Sequence, residues 1–144
     1  MNKDNGAAGI DKVTIDEFEC NLEQNLNEIQ RLLRWDRYEP MPVNRIYIPK
    51  SDGKQRPLGI PIIRDRVVQQ ALKNVIEPIF EAEFLDSSFG YRAERSAKQA
   101  IEQIEAVRDE GHEWVLDADI KAFFDTVNHE KLMDAVAERI SDGR

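Results

Sequence analysis

The stretch Trp114-Val115-Leu116-Asp117-Ala118-Asp119-Ile120-Lys121-Ala122-Phe123-Phe124-Asp125 decides how the rest of the chain is interpreted. When it is read with a period of two, four apolar side chains fall on one face of a strand, and Asp117 and Asp119 fall on the other. The pattern therefore predicts a half-buried strand over residues 113–120 with one face that carries carboxylates. Carboxylate oxygens are ligands that divalent ions such as Mg²⁺ prefer.

The chain has 144 residues and a net charge of −8, but this charge is unevenly distributed. It amounts to −5 over residues 1–30, +6 over residues 31–73 and −9 over residues 74–144. Polyanion binding depends on local positive potential, so the basic middle keeps a nucleic-acid partner open. From charge alone, a solvated basic surface explains the middle segment equally well.

Composition also bears on the compartment. No apolar run approaches the ~20 residues that a membrane-spanning helix needs. Cys20 has no second cysteine with which to form an internal disulfide, which is typical of a reducing compartment. We therefore expect a cytoplasmic protein with no membrane partner.

Residues 43–61 carry the clearest hairpin signal in the chain. Two runs of alternating β-branched and polar residues, at 43–50 and 54–61, flank the turn sequence Ser51-Asp52-Gly53. Four basic side chains of the hairpin are expected to lie close together and to bind phosphate oxygens: Arg45, Lys50, Lys54 and Arg56.

Apolar periodicity predicts four helices, at residues 15–34, at 64–80, from Ser96 to near Gly111, and at 128–140. Thr14 and Glu17 form a capping box before the first helix. Pro78 is expected to close or kink the second, and Asp125 or Asn128 is available to cap the fourth. Helices combined with a hairpin and a single strand indicate an α+β fold.

Four segments together resemble one protein family. Asp-Ile-Lys-Ala-Phe-Phe-Asp at 119–125, preceded by Val-Leu-Asp-Ala and followed by Thr-Val-Asn-His, resembles the first palm motif of the reverse transcriptases encoded by bacterial group II introns. Ile-Pro-Lys-x-Asp-Gly-x-x-Arg-Pro-Leu-Gly-Ile-Pro at 48–61 resembles their fingers hairpin. Residues 6–11 are similar to the segment near the template strand, and residues 87–97 to the second motif. On these motifs the chain is identified as a group II intron reverse transcriptase (maturase), although the family usually has glycine where this chain has Ala122.

The resemblance implies roles for individual residues. Asp119 is expected to be the first catalytic aspartate and a ligand to two Mg²⁺ ions, with the Ile120 carbonyl completing the site on the triphosphate side. Phe124 is expected to close off the sugar 2′ side and so to select deoxynucleotides; the alternative is a core aromatic beside Phe123. The hairpin residues expected to contact the incoming deoxynucleotide triphosphate and the RNA template are Lys50, Lys54 and Arg56.

The resemblance also implies an organisation: a fingers region at residues 1–112 and the start of the palm at residues 113–144. The family's third palm motif, a Tyr/Phe-x-Asp-Asp turn, is missing, because the sequence contains no Asp-Asp pair. We therefore expect an N-terminal piece of the enzyme that binds intron RNA and a DNA or RNA primer but does not polymerise alone. Its exposed palm edge is expected to favour self-association.

Several alternatives stay open at this point. The chain fits a non-catalytic RNA-binding or scaffold module with the same fold, or a retron, diversity-generating or CRISPR-associated reverse transcriptase. Asp117 either supports Asp119 or is structural. Tyr91 and Arg92 either contact the template, or form a buried aromatic beside a salt-bridged arginine. Residues 1–13 are either a frayed terminus or a loop near the template, and Tyr38 is expected to be a packing aromatic.

Overall fold

The computed structural model describes residues 6–49 and 53–142. Two compact units divide the chain, residues 1–76 and residues 77–144. In the described part the elements are α1 (Ile15–Cys20), α2 (Leu22–Arg34), β1 (Asn44–Pro49), β2 (Gln55–Ile60), α3 (Ile63–Glu81), α4 (Ala97–Asp109), α5 (Phe123–Thr126) and α6 (His129–Ala137). Helices and one antiparallel hairpin confirm the α+β class.

The first predicted helix begins as expected but is divided in two. The Thr14 hydroxyl accepts a hydrogen bond from the Glu17 amide at 3.2 Å, and the Glu17 carboxylate accepts one from the Thr14 amide at 2.8 Å. At Asn21 the backbone leaves the helical region, with φ −125° and ψ 38°. The Asn25 side-chain amide then donates to the carbonyl of Phe18 at 2.9 Å. A side chain thus satisfies one of the backbone carbonyls that the break leaves without a helical partner.

The core of the first unit is small. Phe18, Ile29 and Ile63 are buried together, and the partly buried side chains that pack on them are Val13, Ile15, Val67 and Val68. Much of the predicted apolar stripe of α3 remains exposed, including Leu72 and Val75. Pro78 lies inside α3, which continues to Glu81, so the proline does not end the helix.

The N-terminal loop is docked against the start of α3, so the expectation of a frayed terminus is wrong for residues 6–13. Gly9 is buried, and a β-carbon built on it would lie 2.6 Å from the Ile62 Cα. No side chain fits at that distance without movement of the backbone, which explains why glycine is needed at this position.

The second unit has little core of its own. No described apolar residue after Ile63 is buried. Its helices are defined mainly by local signals: the Ser96 hydroxyl accepts from the Gln99 amide at 3.3 Å to cap α4, and Asn128 accepts from the Lys131 amide at 2.9 Å to cap α6. Asn128, rather than Asp125, is therefore the cap of the last helix.

The strand predicted at residues 113–120 is not formed. The stretch has no regular secondary structure and belongs to no sheet, and Trp114, Val115 and Leu116 are 95%, 86% and 92% exposed. A strand needs a neighbour for its backbone hydrogen bonds, and within the described residues β1 and β2 pair only with each other. The alternating pattern shows that the segment is suited to a sheet, but it does not show whether a neighbouring strand is present to pair with it.

None of the helices in the described ranges combines the length and apolar composition that crossing a membrane would require.

Candidate functional site

The hairpin pairs Arg45 with Gly59 and Ile48 with Arg56. Directly paired residues of an antiparallel ladder point to the same face, and faces alternate along each strand. Arg45 therefore shares one face with Tyr47, whereas Arg56 lies on the other face beside Ile48. The prediction that the basic side chains converge is wrong for Arg45.

Arg56 is the second residue of β2, and Lys54 comes immediately before that strand. Both are exposed, as are most hairpin residues on either face. Gly53 has φ 79°, as a tight turn requires. The prediction for Lys50 and for Asp52 of the turn falls outside the described residues.

The start of the hairpin is held by a buried carboxylate. Asp65, in the first turn of α3, is only 3% exposed. Its carboxylate accepts a hydrogen bond from the Met41 amide at 3.0 Å, just before β1, and another from the Tyr38 hydroxyl. Burial, and next the bond to Asp65, raise the pKa of Tyr38 well above its usual range, so this hydroxyl stays protonated and donates.

The end of the hairpin is held by the next residue of α3. The Arg66 guanidinium donates to the carbonyl of Pro61, just after β2, at 3.0 Å, and to the carbonyl of Ala7 in the docked N-terminal loop. Both ends of the hairpin are thus fixed to two consecutive residues of one helical turn. We call Asp65, Arg66 and the backbone groups that they bind the hairpin root.

Asp119 and Ile120 lie in the unpaired stretch at 113–120, and both are exposed. The described residues contain no group of three or more histidine, cysteine, aspartate or glutamate side chains that could hold a metal ion. Asp119 offers a suitable carboxylate, but a two-ion site needs several carboxylates to offset four positive charges.

The turn after Asp119 has the geometry that glycine favours. Ala122 has φ 52° and ψ 39°, in the left-handed region, where a β-carbon costs roughly 1–2 kcal/mol. The following residues form α5, in which the Phe123 and Phe124 rings meet edge to face at 5.4 Å. Phe124 is 85% exposed, so the alternative of a core aromatic is wrong here.

Tyr91 and Arg92 of the second motif, whose roles the sequence left open, differ in their surroundings. Arg92 is structural: its side chain is 6% exposed, and it donates to Glu81 at 2.7 Å and to the carbonyls of Leu85 and Ser88, both at 2.7 Å. This bond from Arg92 lowers the pKa of Glu81. Tyr91 is fully exposed with φ 58°, so the expectation of a buried aromatic is wrong for it.

The hairpin root was missed by sequence reasoning. The apolar period predicts Asp65 and Arg66 only as members of the second helix, and Tyr38 is predicted only as a packing aromatic. The only available signal was the position of Asp65 at the start of a helix, where an acidic residue is favourable for other reasons. Its partners are distant in sequence, so no local pattern could reveal them.

Comparison with known proteins gives the following matches. A family model described as "Reverse transcriptase (RNA-dependent DNA polymerase)" matches residues 48–142. Protein YkfC of Escherichia coli (strain K12) is 43% identical over 140 residues, which cover 94% of this chain and 37% of that protein. Group II intron-encoded protein LtrA of Lactococcus lactis subsp. cremoris is 36% identical over 142 residues, covering 98% of this chain and 23% of that protein.

A plant relative is also similar. Nuclear intron maturase 1, mitochondrial, of Arabidopsis thaliana is 32% identical over 82 residues, which cover 57% of this chain and 11% of that protein. The chain therefore spans 37% or less of the length of each of these three relatives.

Proposed function

Because the chain belongs to the reverse transcriptase (RNA-dependent DNA polymerase) family, we propose that its residues form the fingers and the first part of the palm of an RNA-directed DNA polymerase of the group II intron type. The fingers region comprises residues 1–112, and the palm begins at residue 113. The polymerase acts in the cytoplasm, and its partners are the intron RNA as template, a DNA or RNA primer and deoxynucleotide triphosphates.

The hairpin is the proposed contact for template and triphosphate. The observation that supports this role is the fixed hairpin: Lys54 and Arg56 are both exposed near its tip, and Asp65 and Arg66 hold its two ends. An isolated two-stranded hairpin is marginally stable in water. Because its ends are fixed, the hairpin loses less conformational entropy when its cations bind phosphate oxygens, and this favours binding. Lys50, in the same sequence motif, contributes a third cation.

Asp119 is the proposed metal ligand contributed by this part of the chain, with the Ile120 carbonyl beside it. Mg²⁺ bound with further carboxylates would supply charge stabilisation for phosphoryl transfer. Phe124, whose ring is exposed five residues after Asp119, is the proposed barrier against the ribose 2′-hydroxyl. Phosphoryl transfer by two ions needs several carboxylates to offset four positive charges, and Asp119 offers one, so our proposal includes that these residues alone do not polymerise.

The exposed stretch at 113–120 supports self-association. Its backbone groups pair with no strand in the described part of the chain, and three consecutive apolar side chains are at least 86% exposed. Exposed apolar patches and unpaired backbone groups favour association with other chains. We therefore propose that the chain also associates with copies of itself through this edge.

The hairpin role is tested by RNA binding as a function of salt, with two variants that remove the same charge from opposite faces. Arg56→Gln should lower the affinity for a primed RNA template and reduce the slope of log K against log salt by about 0.7–0.9, as expected when one phosphate is no longer neutralised. Arg45→Gln is the matched control and should change both quantities less. Equal effects of the two variants would mean that the hairpin contributes only diffuse charge, and no effect of either would reject the hairpin as the RNA contact.

The catalytic part of the proposal is tested by primer extension with Mg²⁺ and deoxynucleotides, with Asp119→Ala run in parallel. The chain alone should give no extension. Extension that Asp119→Ala abolishes would show that these residues assemble a complete active site. In that case the proposal that they are insufficient would be wrong.

A further inference from the structure

The C-terminal end of α2 is closed by a turn that folds the chain back on the helix. Asp36 has φ 53°, and its amide donates to the carbonyl of Leu33 at 3.2 Å. The Arg37 amide donates to the carbonyl of Leu32 at 2.9 Å. These two bonds are those of a Schellman motif, which normally has glycine in the left-handed position. The motif folds the chain back so that Arg37 lies beside the last turn of the helix.

This return creates a cavity of about 390 Å³ beside an exposed tryptophan. The cavity is lined by Arg31, Leu32, Trp35 and Arg37. Trp35 is 69% exposed, although tryptophan is usually well covered in a folded protein. Arg31 lies four residues before Trp35, so the two are neighbours on the surface of the helix. A large aromatic side chain is therefore open to solvent beside a cavity that two arginines also line.

The positive charge around this face is not neutralised. Residues 31–37 contain three arginines and one aspartate, a net charge of +2. None of the ion pairs found among the described residues involves Arg31, Arg34 or Arg37, whereas five arginines elsewhere do form such pairs: Arg64, Arg92, Arg95, Arg108 and Arg139. Cations at the end of a helix interact favourably with its dipole, but that interaction does not require an exposed tryptophan.

We propose that Trp35, Arg31, Arg34 and Arg37 form a binding site for single-stranded nucleic acid, separate from the hairpin. One unpaired base stacks on the indole ring, and the flanking phosphates contact the guanidinium groups. A duplex does not fit this site, because its bases are already stacked on one another. An acidic peptide would use the arginines but would leave the aromatic face without a function.

Stacking and charge make different predictions, which separate substitutions can test. Trp35→Ala should weaken binding of a fluorescently labelled octauridylate about tenfold, roughly 1.4 kcal/mol, and leave the salt slope unchanged. Trp35→Phe should restore part of the affinity. The triple variant Arg31→Gln/Arg34→Gln/Arg37→Gln should reduce the salt slope by about 0.7 for each phosphate that its arginines no longer neutralise. Arg108→Gln, which removes an arginine from a different helix, is the matched control and should bind as the wild type does.

A spectroscopic measurement tests the stacking directly. In a Trp114→Phe background, Trp35 is the only tryptophan of the chain, and octauridylate should quench its fluorescence at the concentrations at which it binds. A duplex RNA of the same length and a hepta-glutamate peptide should not quench it. A parallel titration with octadeoxythymidylate shows whether the site binds single-stranded DNA as well as RNA.

The outcomes decide the proposal. Wild-type affinity in Trp35→Ala, or equal quenching by the duplex, would overturn base stacking. Competition by hepta-glutamate as strong as that by octauridylate would instead identify a site for acidic peptides. Circular dichroism should show unchanged helix content in every variant, because the Trp35 side chain is exposed and the turn is held by backbone bonds. The octauridylate titration is repeated in the Arg56→Gln protein to separate this site from the hairpin. If the two sites are independent, Trp35→Ala should lower the affinity by the same factor in the wild-type and Arg56→Gln backgrounds.

Discussion

Replacing Asp65 with alanine should release the start of the hairpin at a large cost in stability. The carboxylate is 3% exposed and accepts two hydrogen bonds, from the Tyr38 hydroxyl and the Met41 amide. Hydrogen bonds to charged groups are worth about 1.5–3 kcal/mol each, so the loss of both corresponds to about 3–6 kcal/mol. Partial hydration of the two donors reduces this figure, and we expect a loss of about 3 kcal/mol. Natural domains have about 5–15 kcal/mol in total, so the variant should be weakened but still folded.

Two measurements check this expectation. Urea unfolding gives the free energy of unfolding of wild type and variant, and hydrogen exchange reports on the amides of β1 and β2. Exchange in the strands should be accelerated more than in α4, because the root is lost while the second unit keeps its own interactions. Asp65→Asn should be intermediate, since an amide can accept from one of the two donors but presents its own NH₂ group to the other.

Asp86→Ala is the matched control. The Asp86 side chain is 97% exposed and pairs with Arg95 at 2.9 Å. Exposed ion pairs contribute little to stability, so this variant should unfold nearly as the wild type does. If Asp65→Ala and Asp86→Ala unfolded at the same urea concentration, or if strand exchange were unchanged in Asp65→Ala, the assignment of Asp65 to the hairpin root would be refuted.

Two further predictions concern the same unit. Gly9→Ala should destabilise the protein by about 1–3 kcal/mol in urea unfolding, because the new methyl group meets the Ile62 backbone at 2.6 Å, whereas Gly90→Ala, with no atom within 4 Å of its added β-carbon, should not. Because the pKa of Tyr38 is raised in the folded protein, an unfolded tyrosine ionises first as pH passes about 10, so the free energy of unfolding should fall above that pH. That fall should be shallower in Tyr38→Phe, and identical pH profiles of the two proteins would contradict the buried hydrogen bond.

Local signals in the sequence predicted much of the fold. Thr14, Ser96 and Asn128 cap helices as expected, since a cap depends on residues only three positions apart. The hairpin formed with strand ends one residue inside the predicted ranges, because a turn sequence and alternation are also local. The break at Asn21 was missed, since the apolar repeat passes through that position without interruption.

Features that depend on distant partners could not be predicted. Asp65 and Tyr38 are 27 positions apart, and nothing in either segment indicates the other. The stretch around Asp119 has the alternation of a strand, but it lacks a neighbour in the described part of the chain. The opposite faces of Arg45 and Arg56 follow from the pairing register, which depends on the turn as well as on each strand's own pattern.

The hairpin root also affects how this protein tolerates insertions. Asp65 binds the backbone just before the hairpin, and Arg66 binds the backbone just after it. The hairpin is therefore a loop whose two ends are already held together by adjacent residues of α3. The entropy of closing a loop grows only with the logarithm of its length, and doubling the length costs about 0.6 kcal/mol. The hairpin can therefore be lengthened or shortened at its tip with little effect on the helix beneath it.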